Sequence, residues 1–209
     1  MNFILTHPRE VATLTAEHLW LVGVSMLIAV GIGIPLGIWL TRQPKMQALV
    51  IGSANIIQTI PSLALFGLLL PVPWLGARAG RLAIIALALY ALLPIVRNTL
   101  VGINGVSAPV REAAVAMGLS DRQLLTMVEL PLASPVILAG IRTAAVITIG
   151  VATIAAAIGA GGLGEFIFRG IAMVDNGVIL AGALPAAAMA LLADAGLGAL
   201  EKQLARRGH

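Results

Sequence analysis

His7, His18 and His209 lie at the two ends of the chain and cysteine is absent, so the residue types for a histidine-based nucleophilic triad, a thiolate site or a metal ligand set are not gathered anywhere. The acidic residues form no close pairs within the apolar runs, which leaves paired-carboxylate and proton-relay chemistry without its groups. Gly159, Gly161 and Gly164 match the letters of G-x-G-x-x-G. The dinucleotide fingerprint, however, needs a strand before it and an acidic residue about 20 positions on, and here a long apolar run precedes. The glycines read instead as a tight, close-packed re-entry or loop. The two lysines, Lys45 and Lys202, precede Met46 and Gln203, so there is no phosphate-cradling Gly-Lys-Ser/Thr loop. No catalytic residue and no metal or cofactor on this chain is assigned.

Three polar features interrupt the apolar sequence. Residues 111–131, REAAVAMGLSDRQLLTMVELP, are the longest. Pro109 suits the opening turn of a short helix and Gly118 a left-handed cap at its end; Ser120 and Gln123 then make a Ser-x-x-Gln capping box for a second helix, which Pro131 should interrupt. Small residues at Ala113, Ala114, Ala116 and Gly118 expose backbone for close docking, so the segment reads as a surface to be touched by another protein. Asn55, Gln58, Thr59, Pro61 and Ser62 fall together inside an apolar run, where polar groups are tolerated if they face protein or a water-filled path. Both readings, substrate passage and interhelical hydrogen bonding, stay open for them. Arg142 is the lone charge of its run. A mid-span arginine costs roughly 2.5 to 3.5 kcal/mol on insertion scales unless relieved, either by snorkelling to the inner surface or by pairing with Asp194.

The elements that must position these residues are membrane helices. Hydrophobic residues make up 59% of the chain and charged ones 11%, against roughly a quarter charged in soluble domains. Runs of span length predict an all-α, polytopic membrane protein of one domain, residues 1–209, with five spans at about 19–40, 48–70, 82–101, 132–158 and 177–197 and a cytoplasmic hairpin at 107–131. No basic region precedes the first run, so a retained span is expected rather than a cleaved leader. Arg42 and Lys45 follow span 1 directly, which by the positive-inside rule sets the N-terminus outside and the C-terminus inside. Four of the 13 basic residues, Arg9, Arg78, Arg81 and Arg169, then lie outside. The formal charge of +4 is spread over single residues with few aromatics among them, which fits anionic lipid headgroups and not nucleic acid.

Glu112-Ala113-Ala114, then Gly118 after three residues, then Val128-Glu129-Leu130-Pro131 after nine, resembles the EAA loop of ABC importer permeases, with valine in place of isoleucine. Glu17-His18-Leu19-Trp20, Gly33-Ile34-Pro35-Leu36-Gly37, the stretch from Gln58 to Leu65 and the glycines at 159–164 extend the likeness to permeases of osmoprotectant importers for glycine betaine, choline or carnitine. Methionine importers share some of these motifs. The resemblance implies the type I importer permease fold in a bacterial cytoplasmic membrane. It implies as partners a cytoplasmic ATPase dimer that binds ATP and Mg, a second permease subunit (copy or paralogue) and an extracytoplasmic substrate-binding protein. It makes Arg111, Glu112, Ala113, Ala114, Gly118, Leu119, Ser120 and Pro131 the ATPase-coupling residues. The aromatic residues are dispersed, so a cation–π cage for a quaternary ammonium is expected on the binding protein, with Asn55, Gln58, Thr59, Pro61 and Ser62 lining a weakly binding passage. A secondary transporter or channel would carry internal repeats or intramembrane ion-coupling carboxylates, and the sequence has neither.

Overall fold

The computed structural model describes residues 6–207, all of them helix or connecting turn. The helices are α1 (Pro8–Thr41), α2 (Pro44–Thr59), α3 (Ser62–Leu69), the single turn α4 (Pro73–Gly76), α5 (Ala79–Asn104), α6 (Ala108–Ala116), α7 (Asp121–Ile158), α8 (Gly164–Met173) and α9 (Asn176–Arg207). Among them α1, α5, α7 and α9 are long and apolar enough to cross a membrane, and α2 and α3, on either side of a sharp bend, meet the same measure of length and apolarity only when taken together.

α5 is the axis of the bundle, with 56% of its most apolar stretch buried against 22–33% in the other three long helices. Small residues bring its neighbours close. A Cβ on Gly33 of α1 would lie 2.8 Å from Ile95 Cγ2, one on Gly37 would lie 2.6 Å from Thr99 Cβ, and one on Gly140 of α7 would lie 2.5 Å from Asn98 Cβ. The Gly33/Gly37 pair is thus a packing face for α5, as small-xxx-small spacing permits between membrane helices. Between the layers sit Leu82, Leu87, Ala86, Phe66 and Ala152, none with exposed surface.

Several boundaries differ from the sequence expectation. α1 begins at Pro8, not near residue 19, and buries Leu14 and His18 on the way. The run at 48–70 is not one helix: α2 and α3 meet at Ile60 and Pro61 with a 101° bend. Ile60 is extended (ψ 126°), as the residue before a proline prefers to be. Pro35 and Pro94 lie inside uninterrupted helices. Pro131 does not interrupt its helix either, because a π turn, Leu124–Glu129, precedes it and the Leu130 N–H donates to the Leu125 carbonyl five residues back. This wider ladder lets the proline enter at the first turn of the α-helical part, where its missing N–H is tolerated. Between the fourth and fifth expected spans, where the sequence predicts no helix, Gly164–Met173 form α8, whose inward face carries Gly164, Phe166 and Gly170.

At one end of the bundle Gly159, Gly161 and Gly162 all have positive φ (77°, 85°, 82°), the left-handed region that favours glycine. The turn they make lets Gly162 N–H donate to Glu17 Oε2 at 3.1 Å, while His18 Nε2 donates to the Ile149 carbonyl at 3.2 Å. Beside it Arg169 of α8 pairs with Glu10 of α1 at 2.8 Å. The start of α1, the end of α7 and α8 therefore share one end. The end of α1, α6, the start of α7 and the tail of α9, where Ala205 lies by Gly105 and Pro131, share the other.

Candidate functional site

The segment after α5 is built as two capped helices. Pro109 sits in the first turn of α6, and the helix closes on Gly118 at φ 84°. Gly118 N–H donates to the Val115 carbonyl (2.9 Å) and Leu119 N–H to the Ala114 carbonyl (3.2 Å), the pair of bonds that defines a Schellman cap. Ser120 then opens α7 with a reciprocal capping box: Gln123 Oε1 accepts from Ser120 N–H at 2.9 Å, and the Ser120 hydroxyl oxygen accepts from Gln123 N–H. Of the expected docking residues, Glu112, Ala113, Gly118, Ser120 and Pro131 are exposed, Arg111 and Leu119 are half-buried, and Ala114 is buried against the bundle. Met117, 73% exposed, extends the outward face.

Below α6 lies a residue that sequence reasoning passed over. Glu129 has no exposed surface, and two arginines from distant segments reach it. Arg42 Nη2, at the end of α1, donates to Oε2 at 2.8 Å. Arg111 Nε of α6 lies 3.0 Å from Oε1, a charge contact whose N–H is not aligned for a hydrogen bond. Arg111 Nη2 donates to the Ile103 carbonyl near the end of α5. A carboxylate buried alone costs far more than one that is paired, so an acidic residue flanked by Val128 and Leu130 was itself the signal that partners must exist.

The polar residues around the α2–α3 break divide. Gln58, Thr59, Pro61 and Ser62 line an open cavity of about 310 Å³ with Tyr90 and Ile147, whereas Asn55 is exposed elsewhere on α2. Gln58 Nε2 donates to the Tyr90 carbonyl at 2.9 Å, and the Tyr90 hydroxyl donates to the Ile60 carbonyl, which the bend has released from the helix ladder. Backbone freed at membrane depth needs such a partner. Tyr90, 30 residues from the break, was not readable from spacing.

Arg142 and Asp194 meet in a fork, Nε to Oδ1 at 2.6 Å and Nη2 to Oδ2 at 2.8 Å, and Arg142 Nη1 lies 3.4 Å from Glu201. Asp194, Gly198 and Glu201 share one face of α9 by their i, i+4, i+7 spacing. A Cβ on Gly198 would lie 3.1 Å from Nη1, so glycine there makes room for the guanidinium. Arg142→Met is expected to lower the yield of folded protein in membranes more than Arg142→Met combined with Asp194→Leu, because the double change leaves no stranded carboxylate. Equal yields, compared by size-exclusion chromatography in detergent, would remove the pair from helix assembly.

The profile of the family described as "Binding-protein-dependent transport system inner membrane component" matches residues 33–207. The chain is 42% identical to the carnitine transport permease protein OpuCB of Listeria monocytogenes over 205 residues, covering 98% of this chain and 92% of that one. It is 42% identical to the osmoprotectant import permease protein OsmW of Salmonella typhimurium over 210 residues, covering 100% and 98%. It is 38% identical to the glycine betaine/carnitine/choline transport system permease protein OpuCB of Bacillus subtilis over 208 residues, covering 100% and 94%. Among solved structures, an inward-facing MetNI methionine ABC transporter chain aligns with a TM-score of 0.82 over 98% of both chains at 22% identity, a likeness of fold. This chain belongs to the binding-protein-dependent transport system inner membrane components, as a multi-pass permease of the type I ABC importer fold.

Proposed function

We propose that the chain is the transmembrane permease subunit of an ATP-driven importer that receives a small osmoprotectant, such as glycine betaine, choline or carnitine, from an external binding protein. The observation that carries this reading is α6: a short capped helix whose Glu112, Ala113 and Gly118 face outward while Arg111 ties its inner side to the span ends. Such a helix suits the groove of a cytoplasmic ATPase, which supplies the ATP chemistry that this chain has no Gly-Lys-Ser/Thr loop to perform. The end bearing α6 is then the cytoplasmic one, with Lys202 and Arg206 on the same side, and the glycine turn with α8 faces outward.

A second permease subunit completes the passage. α2 has no buried residue in 16, although Met46, Leu49 and Ile56 are exposed on it, and the cavity at the break opens beside it. The Bacillus subtilis glycine betaine/carnitine/choline system names two permease proteins, OpuCB and OpuCD, that match this chain at 38% and 48% identity, which supports a paralogue as partner. Gln58, Thr59, Pro61 and Ser62, with Tyr90 as the single aromatic beside them, offer the solute brief polar contacts rather than a cage.

The test is uptake into vesicles reconstituted with the candidate ATPase, second permease and binding protein. Saturable, ATP-dependent accumulation of a betaine, choline or carnitine is expected. Saturable uptake of methionine with none of these would overturn the substrate class, and uptake without any ATPase would overturn the importer class.

A further inference from the structure

We infer that Glu129 is a positioning residue that makes the coupling helix and the spans move as one piece, through a charge clamp shared with Arg111 and Arg42. The inference rests on the reading above, that α6 is the segment an ATPase engages.

α6 is poorly anchored by its backbone. It is entered through the turn at Gly105 and left through Gly118 at φ 84°, and Ala114 is the one fully buried residue of its nine. A push on its outer face would be absorbed by those turns unless a side chain carried it inward. Arg111 is that side chain. Its Nη2 holds the Ile103 carbonyl of α5, and its Nε lies 3.0 Å from Glu129 Oε1 at the start of α7. The other carboxylate oxygen holds Arg42 Nη2 of α1 at 2.8 Å. One displacement of α6 thus acts on the ends of three membrane helices.

The burial pattern makes Glu129 the hub. Its side chain has no exposed surface, while those of Arg42 and Arg111 keep 49% and 30%. Releasing either arginine leaves the carboxylate short of charge in a dry place, so the clamp resists partial opening. The π turn Leu124–Glu129 ends on this residue, which places the irregular stretch of α7 against the clamp. Salt-bridge networks that join rigid elements are one physical carrier of coupling between sites, and the clamp is such a network.

The experiment uses the complete transporter in vesicles, with uptake and ATP hydrolysis measured in the same preparation and both normalised to folded complex. Glu129→Gln is expected to copurify with the ATPase yet show a fall of about tenfold or more in solute moved per ATP hydrolysed. Because loss of a buried charge partner can also weaken the fold, Glu129→Met with Arg111→Met provides a second arm: apolar side chains of similar length replace the pair and preserve folding. The same loss of coupling is expected there. A wild-type ratio in Glu129→Gln, or a ratio restored in the double variant, overturns the clamp and leaves the docking reading standing. A reduced folded yield with an unchanged ratio in the surviving complexes also overturns it, since that is a purely structural role. Failure of the unaltered chain to copurify with the ATPase overturns the docking reading itself.

Discussion

Gly164→Ala is expected to leave little folded protein. A Cβ at that position would lie 1.8 Å from the Thr153 carbonyl oxygen and 2.7 Å from its carbon, both backbone atoms that no rotamer change can move. The close approach lies between the start of α8 and the last turns of α7, near the turn made by Gly159, Gly161 and Gly162. Overpacking of a close-packed contact costs about 1–3 kcal/mol and more where backbone must shift, so a destabilisation of roughly 3 kcal/mol is expected. Gly150→Ala in α7 is the matched control. No atom lies within 4 Å of its added Cβ, and alanine in a helix interior is favoured by about 0.5–1 kcal/mol over glycine. The two variants should move the thermal midpoint in detergent in opposite directions. Equal midpoints would show that α7 and α8 do not meet as described.

Glu112→Arg together with Gly118→Val is expected to all but abolish ATP-driven uptake while the permease still folds and reaches the membrane. Both sites are exposed, so neither change reaches the core. At Gly118 the obstacle is conformational: nothing lies within 4 Å of an added Cβ, but φ is 84°, where an L residue costs about 1–2 kcal/mol. Glu112 takes part in no described ion pair within the chain, so reversing its charge acts through whatever docks there. Loss of one interface hot spot, about 2 kcal/mol or more, corresponds to at least roughly thirtyfold in affinity. Uptake and copurification with the ATPase measure it, and wild-type values for both would remove α6 as the docking site.

The order of helices was legible because the membrane imposes a length on each span and because caps are local. Gly118, Ser120 and Gln123 act within five residues of one another, so their spacing carried the geometry. What stayed hidden depended on partners far away or on mixed composition. Arg42 and Glu129 are 87 residues apart, and no periodicity relates such positions; Arg142 and Asp194, 52 apart, are linked in the sequence only because a lone charge in an apolar run demands relief, with snorkelling as the other route. α8 is only ten residues long and carries Glu165 and Arg169, and the first turns of α1 carry Arg9, Glu10 and Glu17; the two pair through Arg169 and Glu10, and neither reads as an apolar run of span length. Pro61 and Pro131 show the same residue type with opposite outcomes: one stands at a 101° bend, the other is passed because a π turn precedes it. The difference lies in the surrounding ladder and not in the proline.

That π turn also sets an angle. An α-helix rotates its face by about 100° for every residue, and a π turn shifts the phase of everything beyond it. Before the turn, α7 presents Asp121 and Arg122 to water; beyond it, Ala133, Ile137, Gly140 and Ala144 form a buried stripe. The short opening turn at 121–123 and the long helix beyond 129 therefore stand like gears fixed on one shaft with a set offset between their teeth. The segment leading into the turn can be cut to fit one set of contacts and the helix beyond it to fit its neighbours in the bundle, while the offset at 124–129 keeps the two in register.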